Sequence, residues 1–207
     1  MFSDTSRLPP LRQNGSGTMI ATIDVAYRDR GSARAAAVVF EHFSDRVARA
    51  EYTVDISQVE AYVPGSFFRR ELPCIMAVIE MIQEPISTVI IDGYVTLGRR
   101  PGLGFHLWQQ LGQRIAVIGV AKSPFAGSRP VAVIRGLSRN PIYVTSAGIR
   151  TALAAKKIRE MHGDYRIPTL LKHVDALSRG IAQKDGSRAS RISGILKDRN
   201  RTRGPSD

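Results

Sequence analysis

The sequence predicts an α/β domain: a mixed five-stranded central sheet in the order 3-2-1-4-5, with helices on both faces and a peripheral hairpin. Three observations lead there. Three apolar strands follow one another near the N-terminus with connections too short for crossover helices, so they pair as an antiparallel meander. Two short apolar runs come later, at 87–92 and 115–122, of the kind buried on both faces of a sheet. Helical periodicity separates and follows those runs, giving the alternation that covers a sheet on both sides.

Taken in order, residues 19–27 read as the first strand and Arg28-Asp29-Arg30-Gly31-Ser32 as a turn. Residues 34–41 and 51–56 complete the meander. Tyr62-Val63-Pro64-Gly65 then breaks the pattern. Apolar residues at 68, 72, 75, 76, 79 and 82 predict an amphipathic helix over 66–83, which Pro73 should kink or shorten. The buried run 87–92 is followed by a Gly- and Arg-rich loop over 93–102 and a short helix over 103–111. After the run 115–122, segments 129–136 and 141–145 alternate like a hairpin. Helices over 149–161 and 169–183 close the domain. With the first strand beside the fourth, this order is that of a ribonuclease H-like sheet; a plain doubly wound sheet is the alternative.

The chain has 207 residues, 43% of them hydrophobic, enough for one domain with its own core. A collagen-like, coiled-coil or wholly disordered chain is excluded. The formal charge of +12 points to a polyanionic partner, nucleic acid before membrane. From Arg179 onward there are eight basic and three acidic residues in a Ser-, Gly- and Arg-rich context. The expected organisation is therefore a polar N-terminal extension over 1–18, a catalytic domain over 19–180 and a basic, disordered tail over 181–207. Cys74 is the only cysteine, so no intrachain disulfide can form. With no apolar leader and no membrane-length apolar run, the expectation is a soluble, cytoplasmic monomer.

Candidate chemistry concentrates on acidic residues at strand ends. Asp24 interrupts the apolar Ile23-Asp24-Val25-Ala26-Tyr27, and Asp92 ends Val89-Ile90-Ile91-Asp92. A buried carboxylate needs a cation, a hydrogen-bond set or a metal ion. If the two strands are neighbours, both carboxylates reach one edge and offer an all-oxygen site suited to Mg²⁺ or Mn²⁺. Taken singly, each is a turn or capping aspartate. Glu71, in Arg69-Arg70-Glu71-Leu72-Pro73, is either a solvated partner of a nearby arginine or a third metal-facing carboxylate. Lys122 ends a strand, where it faces solvent or, turned into the cleft, holds a phosphate. His173 on its own is a surface or satisfied core histidine. No phosphate-binding P-loop, HExxH or nucleophile elbow is present, and Gly102-Leu103-Gly104 lacks the third glycine of a dinucleotide fingerprint.

Six stretches between residues 19 and 180 resemble endonuclease V, the family of inosine-directed nucleases. They are Asp24-Val25-Ala26-Tyr27; Tyr62-Val63-Pro64-Gly65 followed by Arg70-Glu71-Leu72-Pro73; Asp92-Gly93; Ile118-Gly119-Val120-Ala121-Lys122-Ser123; Pro141-Ile142-Tyr143-Val144-Thr145; and Arg166-Ile167-Pro168 with His173. The resemblance implies a ribonuclease H-like nuclease that cleaves DNA or RNA on the 3′ side of inosine with Mg²⁺, or Mn²⁺ in its stead. It implies Asp24, Asp92 and Glu71 as metal ligands, and Glu71, Lys122 and His173 as catalytic residues. Tyr62, Val63, Pro64 and Gly65 match the wedge that opens the base stack, and Gly93 belongs with base recognition. Two departures stand out. Val95 replaces the second glycine of the family's Asp-Gly-x-Gly, which predicts a less approachable backbone there. Leu97-Gly98-Arg99-Arg100-Pro101 stands for its His-Pro-Arg segment. The alternatives are a structure-selective nuclease of the same fold and a non-catalytic nucleic-acid-binding protein.

Overall fold

The computed structural model describes residues 18–61, 63, 65, 67–181 and 190–196. Strands β1 (Met19–Tyr27), β2 (Ala33–Phe40) and β3 (Ala50–Ile56) form the antiparallel meander, with a 3₁₀ turn at Asp29–Gly31 between the first two. Helix α1 (Phe67–Ile79) leads to β4 (Ile86–Asp92), which lies parallel to β1. A two-stranded ribbon, β5 (Thr96–Leu97) and β6 (Arg100–Pro101), precedes α2 (Leu103–Gln110) and β7 (Ala116–Ala121). Then come β8 (Val131–Val133), β9 (Ile142–Ala147), α3 (Thr151–Glu160), α4 (Thr169–Ser178) and β10 (Ser190–Leu196).

The strand order is β10-β3-β2-β1-β4-β7-β9-β8. Its middle is the expected 3-2-1-4-5 arrangement, with β7 as the fifth strand. The outer hairpin joins the main sheet, because β9 pairs antiparallel along β7. At the other edge β10 pairs parallel to β3 over its whole length. Those seven residues fall within the expected tail, whereas 182–189 and 197–207, like 1–17, lie outside the described residues.

Alternation along the strands builds two cores. Ile23, Ile91 and Val117 turn to the face covered by Ile75, Val78 and Ile79 of α1 and Leu107 of α2. Ile20, Ile90, Ile118 and Val120 turn to the opposite face, under Ala154 and Ile158 of α3 and Leu170 and Val174 of α4. Strand β2 is rich in buried alanine at 33, 35, 36 and 37. Small side chains there let α1 and α4 close onto the sheet from opposite sides. Pro73 lies inside α1 without ending it. It withholds one N–H from the helical ladder, and the helix still runs to Ile79.

Candidate active site

Register brings the two aspartates together. Ile23 pairs with Ile91 across the parallel β1–β4 pair, so Asp24 and Asp92 are the next residues on adjacent central strands. Asp92 in turn pairs with Val120 of β7, two residues before Lys122. Since 24, 92 and 122 continue the alternation of 20, 90 and 120, all three belong to the face covered by α4. They line a cleft at the C-terminal ends of β1, β4 and β7 together with Lys172 and Asp175 of α4 and Arg179 just after it. Lys122 Nζ donates to Asp92 Oδ2 at 2.9 Å, and this bond raises the lysine pKa.

Asp24 accepts a hydrogen bond from Ser178 Oγ at 2.5 Å. Burial still pushes its pKa up, and the charges of Asp175 and Asp92 push the same way. Glu71 approaches from α1, on the other face of the sheet and outside the lining of that cleft, buried, with Oε2 lacking a hydrogen-bond partner among the described residues. Desolvation, reinforced by Asp24 and Asp92, lifts its pKa from 4.5 to about 8. Beside it the Arg70 guanidinium lies 3.9 Å over the Tyr27 ring.

Mutually repelling oxygen donors, one with an orphaned buried oxygen, fit a hard divalent cation, whose charge would relieve the repulsion. Among the described residues, no three His, Cys, Asp or Glu side chains stand close enough together to hold a metal ion as they are placed. Ser178 and Lys122 engage Asp24 Oδ2 and Asp92 Oδ2 instead.

His173 is an expected residue that the fold does not bring here. It sits on the other side of α4, where its Nε2 lies 2.8 Å from Oε1 of the buried Glu51. Residues two apart on a helix point about 200° apart, so Asp175 faces the cleft when His173 faces β3. Sequence reasoning missed Asp175 and Ser178; the signal for them is their spacing of three on an amphipathic helix.

Around the cleft, Gly93 adopts φ +133°, closed to most side chains, and donates to the Val120 carbonyl at 2.9 Å. Gly119 is required by close approach: a Cβ there would stand 2.5 Å from the Gly93 carbonyl oxygen. Val95 is fully buried, with its Cγ2 against Gly104 and its N–H on Thr145 Oγ1 at 2.9 Å. Its side chain thus points into the core, contrary to the expected obstruction of the backbone. Arg166 donates to the Pro141 carbonyl at 2.9 Å and also to the Lys122 carbonyl, bracing the end of β7. Phe125 is exposed and leans on Tyr94, their ring centroids 6.1 Å apart. Of the segment expected to act as a wedge, Val63 and Gly65 are exposed, while Tyr62 and Pro64 lie outside the described residues.

A carboxylate-lined cleft across the central strands of a ribonuclease H-like sheet is the frame of a phosphodiester hydrolase. The family model described as Endonuclease V matches residues 6–158. An endonuclease V of Streptomyces coelicolor is 32% identical over 193 residues, covering 82% of each chain. The crystal structure of the Streptomyces avermitilis endonuclease V superposes with a TM-score of 0.64 at 29% identity, covering 85% of this chain and 87% of that one. That of Ciona intestinalis endonuclease V, bound to a DNA containing inosine followed by a ribo-adenosine, gives a TM-score of 0.60 at 19% identity over 79% and 84% of the two chains. The chain belongs to the endonuclease V family and is a nuclease. Helix α4, with Asp175, lies beyond the segment that the family model matches.

Proposed function

We propose that this protein cleaves DNA or RNA strands on the 3′ side of inosine and requires a divalent cation, Mg²⁺ or Mn²⁺, to do so. The observation that carries the reading is the adjacency of Asp24 and Asp92 on neighbouring parallel strands, with Lys122 bonded to the second. Asp24, Asp92 and Glu71 would hold the ion, with Asp175 at the same cleft. When bound, the ion supplies positive charge against the attacking water and the departing 3′ oxygen.

The chain's own groups do the rest. Lys122 is positioned to exchange Asp92 for a non-bridging phosphate oxygen and to hold it as charge develops. Lys172 and Arg179 give the cleft wall the positive charge that a phosphate backbone needs. Tyr62, with Val63, Pro64 and Gly65, opens the stack at the lesion, and Gly93 leaves space beside the base. The exposed Phe125, backed by Tyr94, offers an aromatic face on which a base can stack. The Ciona relative's complex with inosine-containing DNA supports the choice of lesion. The inward turn of Val95 supports it too, because the altered loop adds no side chain on the base side.

The test offers purified protein and Mg²⁺ to matched DNA and RNA oligonucleotides, each with and without one inosine. Cleavage of the inosine strand above its control is expected, with Asp24→Asn and Asp92→Asn inactive yet still able to bind. Equal cleavage by wild type and both variants sinks the metal assignment. Cleavage indifferent to inosine sinks the lesion assignment.

A further inference from the structure

Helix α4 separates two clefts. One side presents Leu171, Asp175 and Arg179 to the site around Asp24, and the other presents His173, Leu177 and Gly180 to β3 and β10. On β3 itself stands Glu51, only 1% exposed. Its two oxygens are engaged from two different elements. His173 Nε2 of α4 lies 2.8 Å from Oε1, and Arg191 Nε of β10 donates to Oε2 at 2.7 Å. Arg191 and Glu51 are direct partners in the register of the parallel pair. Just past the helix, Gly180 packs against Arg34, where a Cβ would meet Nη1 at 3.2 Å. Arg34 is itself gripped by both oxygens of Asp55 on β3, each at 2.7 Å.

Burying a carboxylate this deeply is costly unless its lone pairs are satisfied, so Glu51 favours an arrangement that keeps both oxygens engaged. That arrangement ties one side of α4 to β3 and β10. The opposite side of the helix is the side the site uses, since Ser178 Oγ bonds Asp24 and Asp175 lines the cleft. None of Glu51, His173 and Arg191 borders that cleft.

We propose that Glu51, His173 and Arg191 form a positioning network through which β10 sets the rotation of α4 and so holds Ser178 and Asp175 in register with Asp24. These are positioning residues, not catalytic ones. Only the kinetic part of the test rests on the nuclease reading.

The experiment compares full-length wild type with Arg191→Ala, Arg191→Lys and Glu51→Gln. Arg191 has a half-exposed side chain, so its truncation leaves the core intact. Hydrogen exchange of the peptide spanning α4 is followed beside that of β1 and β4. In Arg191→Ala and Glu51→Gln, exchange in α4 is expected to quicken by about tenfold while β1 and β4 stay protected. On the inosine oligonucleotide, kcat should fall by about tenfold with KM within about twofold, as for other residues that orient a site from behind. Arg191→Lys, which keeps a cation on the carboxylate, should recover most of both effects. Unchanged α4 protection in Arg191→Ala overturns the proposal, as does a uniform loss of protection that lysine does not rescue. If wild type cleaves no substrate, the nuclease reading fails, and the exchange comparison still decides this inference.

Discussion

Glu71 is the residue whose surroundings have the plainest thermodynamic consequence. Burial beside Asp24 and Asp92 lifts its pKa from 4.5 to about 8, so the folded chain keeps a proton there that the unfolded chain has released. Where the folded state binds more protons, stability falls as pH rises. Free of cation, the protein should therefore lose stability from about pH 4.5 to about pH 8, and Glu71→Gln should remove that part of the slope. A cation that needs the carboxylate displaces the proton, so its affinity should climb over the same window. Thermal melting in chelator and in Mg²⁺ at several pH values checks both; identical slopes for wild type and Glu71→Gln would contradict them. For Lys122, replacement by Ala should cost about 10²–10³ in single-turnover rate, the usual loss for one donor to a developing oxyanion. A rate within a few-fold of wild type would leave Lys122 as no more than the Asp92 partner. At this scale the sequence was informative where chemistry and alternation coincide. Asp24, Asp92 and Lys122 each continue an apolar strand in even positions, which gives them one face. The choice between His173 and Asp175 was not legible, because it depends on which side of α4 meets β1, and two polar residues on one helix do not reveal that.

Among the elements, the strands and helices followed their periodicity, and the deviations have physical causes. Helix α1 stops at Ile79, short of the apolar residues that extend the pattern to 82. Strand β10 was hidden by Ser, Gly and Arg, residues that mimic a solvated tail; only Ile192 and Ile195 hint at a strand. The loop from Gly93 to Gly102 folds back under α2, where the Val95 carbonyl accepts from Gly102 and Phe105. Val95 fills the space against Ile91 and Gly104, so Val95→Gly, the change toward the family pattern, should destabilise by about 2–4 kcal/mol through lost burial and added chain freedom. Chemical denaturation measures this, and a midpoint equal to wild type would mean that the side chain contributes no packing.

For the whole molecule, the +12 charge is the property most relevant to a polyanionic substrate. The distinction between Ser190–Leu196, built into the sheet, and the residues after it changes how the tail should be tested. Removal of 197–207 takes away Lys197, Arg199, Arg201 and Arg203 while sparing β10. The shortened protein should bind all sequences more weakly by the same factor. Its log–log salt dependence should be shallower by about 0.7–0.9 for each phosphate that these cations no longer neutralise. A salt slope equal to that of the full chain would mean these four cations do not touch the backbone.

The parallel partnership of β10 with β3 also decides which strand forms the border of the sheet. One rim of the eight-stranded sheet is β8, only three residues long and too short to recruit another chain effectively. The other rim would be the seven residues of β3, were β10 not seated along it. A bare strand of that length presents a ladder of unanswered N–H and C=O groups, the template on which sheets of separate molecules fuse. By occupying that rim, β10 moves the border outward to a strand that carries Arg191, Gly194 and two serines, and that also exposes Ile195 and Leu196. The segment that composition marks as a loose appendage is thus the selvedge of the sheet, its outermost described strand on that side.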